Sequence, residues 1–279
     1  MSAEFIVIDH KHTKDGVYVG PSLMSWYGGI ILRDNLGIVL FNEPLIPEYI
    51  QAFKGTGIKS TGCICAFYIE ADLGIESHET IEVHGFLKTW KDIKSDELIA
   101  HSGVWCEGNI LVNKNIISGD DGLIVKGNIR AITGCIKSTG DISSGGDIES
   151  GDEIIALQSL SAKRGTIKAK LGVTSGLTIE AQTIDVGTTI SAGIFPRNNI
   201  INYEDMMIMC HVLKSGFVSS GMTCQLKDNV APSEDSNSEY VDEEQITLEE
   251  HGVFWGRSNN LQNFLDEHSP EKQLSKMQN

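Results

Sequence analysis

The chain has 279 residues, 41% of them hydrophobic and 7% aromatic, with 29 glycines; this composition suits tight turns around small aliphatic side chains, not a core built on aromatic anchors. Its 22 basic and 38 acidic residues give a formal charge of −16, which argues against a nucleic-acid binder, because phosphate contacts need clustered Lys and Arg. Six cysteines without a CxxC pair read as reduced structural thiols, not a disulfide framework or a zinc motif.

Residues 1–57 read as an N-terminal cap of irregular strands. The opening "MSAEFIVIDHKHTKDG" carries Glu4 and Asp9 where a signal peptide needs basic and then apolar residues. With no run of 18 apolar residues either, a cytoplasmic protein without a membrane segment is expected. "GGIILRDNLGIVLF" is strand-like and supplies one or two irregular coils or a capping hairpin, which repeat arrays need at their ends.

From residue 58 to 195 the chain repeats. Aliphatic anchors stand at Ile58, Ile64, Ile69, Ile75, Ile81, Leu87 and onward to Ile190, 23 in all, at intervals of five, six or seven. Two places after each anchor stands Ala or Ser in 17 cases. In an extended segment the anchor and the residue two places on share one side, and the residue between them points the other way. A strand this short cannot bury its apolar side alone, but a stack of such strands can. The fold class is therefore all-β: a three-sided parallel β-solenoid of seven to eight coils, about six residues per side and on the order of 35 Å long.

The three-sided assignment has an internal check in the outward residues of every third unit. One side reads Lys59, Glu76, Lys94, Leu111, Arg130, Glu149, Lys168 and Asp185, so every adjacent charged pair is of opposite sign, as cross-strand neighbours prefer. The next side reads Cys65, Glu82, Ile99, Ile117, Lys137, Ile155, Thr174 and Ser191. Ile99, Ile117 and Ile155 form an apolar stripe that wants a cover, and they are the candidate apolar binding face.

Downstream, Pro196 closes the repeat and residues 196–229 hold two or three more strands around a turn at Ser215 and Gly216. Residues 230–250 form an acidic linker; between Glu234 and Glu250 there are eight acids and no Lys or Arg. Glu234, Asp235, Asp242, Glu243 and Glu244 are its candidate binding residues, an electrostatic lure for a basic partner. Residues 251–279 carry helix signals, with Ser269 and Pro270 as cap and first position. Their apolar residues Phe254, Trp255, Leu261, Phe264 and Leu265 are the expected cover or docking element.

Catalytic chemistry is not evident. His84 and His101 each stand three places after an anchor and stack at one corner of adjacent coils, but the same corner one coil on offers Gly119. Lacking a third and fourth ligand, they read as polar corner residues, and no metal or cofactor is expected. The small residue falls two places after the aliphatic one, whereas hexapeptide acyltransferases place it four after. The alternating charges also differ from the carboxylate-lined grooves of polysaccharide lyases and hydrolases.

The Gly-Asp-Ile-x-Ser-Gly units from Ile129 to Ala162, and less regularly from Ile58 to Ala192, resemble the repeats of bactofilin-like bacterial β-solenoids. The resemblance covers about half the chain and implies a cytoplasmic, non-catalytic, assembling protein. Bactofilins have short tails, whereas here some 57 residues precede the array and 87 follow it. Two expectations result. The first is a non-catalytic solenoid that binds a protein partner, in the manner of an inhibitor or immunity protein against a basic toxin or nuclease, with a homo-oligomer also open; the second is a self-assembling scaffold. A solenoid enzyme, acyltransferase or carbohydrate-active, is a distant third.

Overall fold

A computed structural model describes residues 4–192 and the strand segments 207–210, 212–218 and 223–226. The 29 described strands belong to one continuous sheet wound into a three-walled parallel β-solenoid of about nine turns. Through the repeat each strand pairs in parallel with the strands three before and three after it.

Wall one contains Gly37–Phe41, Thr56–Ser60, Ile75–Ser77, Ile93–Ser95, Ile110–Val112, Ile129–Ala131 and Ile148–Ser150. Wall two contains Ile64–Ala66, Thr80–Val83, Glu97–Ala100, Ile116–Ser118, Ile136–Ser138, Ile154–Ala156 and Val173–Ser175. Wall three starts at Phe5–Ile8 and continues through Gly29–Leu32, Tyr49–Ala52, Tyr68–Ala71, Phe86–Thr89, Gly103–Cys106, Gly122–Val125 and Ile142–Ser144. Two longer strands, Leu160–Ala169 and Ile179–Ala192, turn corners and so contribute to more than one wall.

The inside is a column of anchors. Ile58, Ile81, Ile116, Ile148 and Ile179 have no exposed surface, and each faces its equivalents above and below. The small residue two places on sits where the wall bends into the corner. Ala fits there without a polar group, and Ser fits because its hydroxyl finds a carbonyl in the preceding coil: Ser77 donates to Gly62 at 2.7 Å, Ser144 to Gly127 at 2.7 Å and Ser150 to Gly134 at 2.8 Å. This accounts for most of the Ala and Ser alternation, since buried hydroxyls are generally satisfied; Ser95, whose hydroxyl has no partner, is an exception.

From Ile93 onward the residue before each wall-one anchor builds a second ladder. Asp92 Oδ1 accepts from the Asn109 backbone N–H at 2.8 Å, Asn109 Oδ1 from Asn128 at 2.9 Å, Asn128 Oδ1 from Asp147 at 2.8 Å and Asp147 Oδ1 from Thr166 at 2.8 Å. Each side chain thereby satisfies a backbone donor that the corner removes from the sheet, which explains the Asp or Asn in the repeating unit.

The stacking extends upstream of Ile58, which is why the turns number about nine and not seven to eight. At the start, Thr13–Lys14 and Val17–Tyr18 form an antiparallel hairpin above wall one. Its two-residue loop, Asp15-Gly16, has both residues at positive φ, the conformation that a tight hairpin turn matching strand twist requires. Downstream, Met207–Cys210, Val212–Val218 and Thr223–Leu226 add parallel pairings to the sheet. Ser215 and Gly216, expected as a turn, lie within the second of these strands next to a register shift. The acidic residues Glu234 to Glu250 and the expected C-terminal helix lie outside the described residues.

Candidate functional site

A solenoid can act only through what its outer walls present. On wall one part of the alternating ladder closes into ion pairs: Lys59 pairs with Glu76 at 2.6 Å, and Glu149 takes Arg130 at 3.0 Å and Lys168 at 3.8 Å. The groove beside it, along Glu76, His78, Lys94 and Asp96, holds about 260 Å³, at the small end of what encloses a small molecule.

On wall two the outward column runs Cys65, Glu82, Ile99, Ile117, Lys137, Ile155, Thr174, Ser191 in unbroken register. The three isoleucines are thus brought into one column, interrupted by Lys137. Ile99 and Ile117 are half-buried. Ile155 is 3% exposed although it points away from the core.

Wall three carries a feature that the two columns read from sequence did not include. In the position just before the anchors stand Phe5, Tyr49, Tyr68 and Phe86, and just after them stand Glu70, Lys88, Trp105 and Ile124. Tyr49 and Tyr68 stack at 5.4 Å between ring centroids. Phe5 meets Tyr49 edge-on at 6.4 Å, crossing an intervening coil. It can do so because that coil offers Gly29, where a Cβ would lie 2.3 Å from the Phe5 ring. Trp90 and Trp105 meet edge-on at 5.6 Å, with the Lys88 ammonium 4.3 Å from the Trp90 centroid.

Glu70 organises the polar part of this wall. It accepts from Gln51 Nε2 and from the Tyr68 hydroxyl, each at 3.3 Å, and pairs with Lys88 at 3.2 Å. Burial, with the Glu70 charge adding to it, pushes the Tyr68 phenol up to about 12, so the ring presents a neutral hydroxyl. At the corners flanking this wall, Phe67 is 59% exposed and Phe53 is also exposed. The signal was present in the sequence: reading the residues around every third anchor from Ile69 collects Tyr68, Phe86 and Trp105.

At the corner between walls two and three the rings of His84 and His101 stack at 5.1 Å with 11° between planes, as the repeat register requires. Glu82 lies beside them, with Oε1 3.4 Å from His101 Nε2 and 4.0 Å from His84 Nε2. Cys65 Sγ is 3.9 Å from His84 Nε2. Burial, followed by the neighbouring Glu82 charge, pushes the Cys65 thiol up. One coil on, Gly119 packs so closely that a Cβ there would lie 1.8 Å from the His101 carbonyl oxygen.

Comparison with protein-family models, curated proteins and solved structures finds no match for this chain. Among the described residues, no helix is long and apolar enough to cross a membrane.

Proposed function

We propose that this chain is a non-catalytic, protein-binding β-solenoid whose third wall, over its first coils, is the docking surface. The observation that carries this reading is the run of Phe5, Tyr49, Tyr68, Phe86 and Trp105 along one wall, with Trp90 at its corner. Aromatic side chains are enriched where proteins bind each other because they bury much area at little entropic cost, and such residues carry most of the binding energy. The inside of the repeat from Ile58 onward is aliphatic, so these rings belong to the outer face, where they are available to a partner.

The net charge of −16 favours a partner with a basic surface, through steering and complementarity. An inhibitor or immunity protein that occludes a basic toxin or nuclease is the most specific form of this reading. A cytoplasmic setting accords with six cysteines in no framework spacing. The acidic run from Glu234 to Glu250 supplies a second, electrostatic contact in the same scheme.

The test begins with the protein that co-purifies from the native cell. Its binding to the wild-type chain is then compared with binding to a Tyr49→Ser, Tyr68→Ser, Trp105→Ser variant shown by circular dichroism to stay folded. A loss of affinity of about 100-fold or more supports the third wall as the interface; unchanged affinity overturns it. The second reading, an end-to-end scaffold of the bactofilin kind, draws support from the solenoid repeat itself. The antiparallel hairpin above wall one weighs against it, because it blocks continuation of that ladder. Light scattering after size exclusion decides between them, since filaments favour the scaffold and a small discrete species favours the binder.

A further inference from the structure

The cluster at the corner of walls two and three has the composition of a metal site. Two imidazoles, a carboxylate and a thiol are the donors that zinc-class ions take, whereas calcium and magnesium want oxygen alone. The fold brings Glu82, His84 and His101 together from two adjacent coils and sets Cys65, from the coil before, beside His84. Glu82 points outward from the strand Thr80–Val83, and His84 stands at the corner just beyond that strand's end. His101 lies under His84 in the next coil, and Cys65 lies opposite Glu82 in the coil before.

The spacing also fits. A four-coordinate ion with bonds of about 2.0–2.3 Å separates its ligand atoms by roughly 3.3–3.8 Å. Here Glu82 Oε1 and His101 Nε2 stand 3.4 Å apart, Cys65 Sγ and His84 Nε2 3.9 Å, and Glu82 Oε1 and His84 Nε2 4.0 Å. The ligand atoms of Glu82, His84 and His101 all lie within 4.8 Å of one another; Cys65 Sγ stands outside that set, beside His84, and closing all four onto one ion takes rotation of the stacked rings and of the Cys65 side chain. Both imidazoles carry Nε2 on the side of the same carboxylate oxygen, Glu82 Oε1.

The backbone beneath is held by ladder bonds, His84 N–H to the Ala66 carbonyl at 3.0 Å and His101 N–H to the Val83 carbonyl at 2.8 Å. A site mounted on paired strands is pre-organised.

We propose that Glu82, His84 and His101, with Cys65 as fourth ligand, bind one divalent transition-metal ion of the zinc class. Two neutral imidazoles, a carboxylate and a thiolate balance the ion's two positive charges. Because the four ligands belong to three adjacent coils, the ion acts as a clip across the stack, next to Phe67 at the edge of the aromatic wall. Four protein ligands leave no open position, which marks the site as structural, not catalytic. Gly119 ends the cluster, since the approach of the His101 carbonyl leaves no room there for a further side chain.

The test uses the full chain without an affinity tag, stripped with a chelator and titrated with Zn²⁺ against a chromophoric chelator, and in parallel with Co²⁺ as an optical probe. The expected result is one tight equivalent, a Co²⁺ spectrum of tetrahedral intensity with a thiolate charge-transfer band, and a rise in Tm on adding Zn²⁺. His84→Ala and His101→Ala each lower affinity by about two orders of magnitude and abolish the Tm rise, and Glu82→Gln weakens binding by about tenfold or more. Cys65→Ser removes the charge-transfer band. His10→Ala with His12→Ala changes none of these. His84→Gln serves if the alanine variant misfolds, with metal-free circular dichroism as the check. Absence of a tight equivalent, or retention of it in the His84→Ala, His101→Ala double variant, overturns the site; an unchanged Co²⁺ spectrum in Cys65→Ser overturns the thiolate ligand.

Discussion

Ile148 and Glu149 are adjacent in sequence and should differ sharply in energetic weight. Ile148 has no exposed surface and stacks between Ile129 and Ile167. Replacing it with Ala removes three carbon atoms from a column whose backbone the parallel ladder holds in place, so the cavity relaxes little and the loss falls in the range of about 2–5 kcal/mol. Glu149 points outward, half-exposed, to Arg130 at 3.0 Å and Lys168 at 3.8 Å. Solvent screens these pairs, and Glu149→Ala should cost about 1 kcal/mol or less. In urea, with a slope of about 2 kcal/mol/M, that difference separates the two midpoints by roughly 1 M. Ile148→Asp should leave the array unfolded, because it buries a charge with no partner. The measurement is an equilibrium urea titration followed by far-ultraviolet circular dichroism. A Glu149→Ala variant as damaged as Ile148→Ala, or an Ile148→Asp variant that melts like wild type, would refute the register on which the three-walled description rests.

The corner ladder makes a second prediction. Asn128→Ala leaves the Asp147 N–H without its acceptor and should cost about 1 kcal/mol, whereas Asn128→Asp keeps the acceptor but stacks a like charge on Asp147, so its cost should ease as salt screens that pair; urea midpoints at low and high salt compare the two. Burial pushes the Cys106 thiol up to about 12, and it has no exposed surface. Iodoacetamide at neutral pH should therefore leave it unmodified in the folded protein and modify it in urea, as peptide mass spectrometry would show; native labelling of Cys106 would contradict its place in the core. Glu153 has its pKa raised, by burial first, with Lys137 opposing and Asp152 adding to it. A carboxyl raised in the folded state contributes stability that is full below the unfolded value of about 4.3 and is lost as pH rises through the folded value. Glu153→Gln should accordingly raise Tm at pH 7, by an amount that shrinks toward pH 4, and a gain that grew on acidification would reverse the sign argued here.

What a sequence reader can extract from this chain is set by how a solenoid converts spacing into contact. Between Ile58 and Ile190 the units are so regular that counting three units on from any outward residue names its neighbour, and the columns from Lys59 to Asp185 and from Cys65 to Ser191 are paired in that order. Upstream the same geometry is written irregularly. The anchors Ile30, Val39, Leu45, Ile50 and Ile58 are separated by nine, six, five and eight residues, and the inward residues two places after Ile30 and Val39 are Leu32 and Phe41, not Ala or Ser. Longer corners and bulkier fillers satisfy the same tube without repeating its signature.

The cluster at Glu82 was missed for a different reason. A straight column sets His84 over His101 and then reaches Gly119, which offers no ligand. The remaining donors stand in the neighbouring column, Glu82 on the strand that ends one residue before His84 and Cys65 on the diagonal. Diagonal neighbours in a sheet are within reach of long side chains, so a search across columns would have found the set. That both imidazoles carry Nε2 on the side of one carboxylate oxygen depends on side-chain torsions, which no period encodes. A repeat specifies which residues are neighbours, and chemistry begins only where neighbours point at the same place.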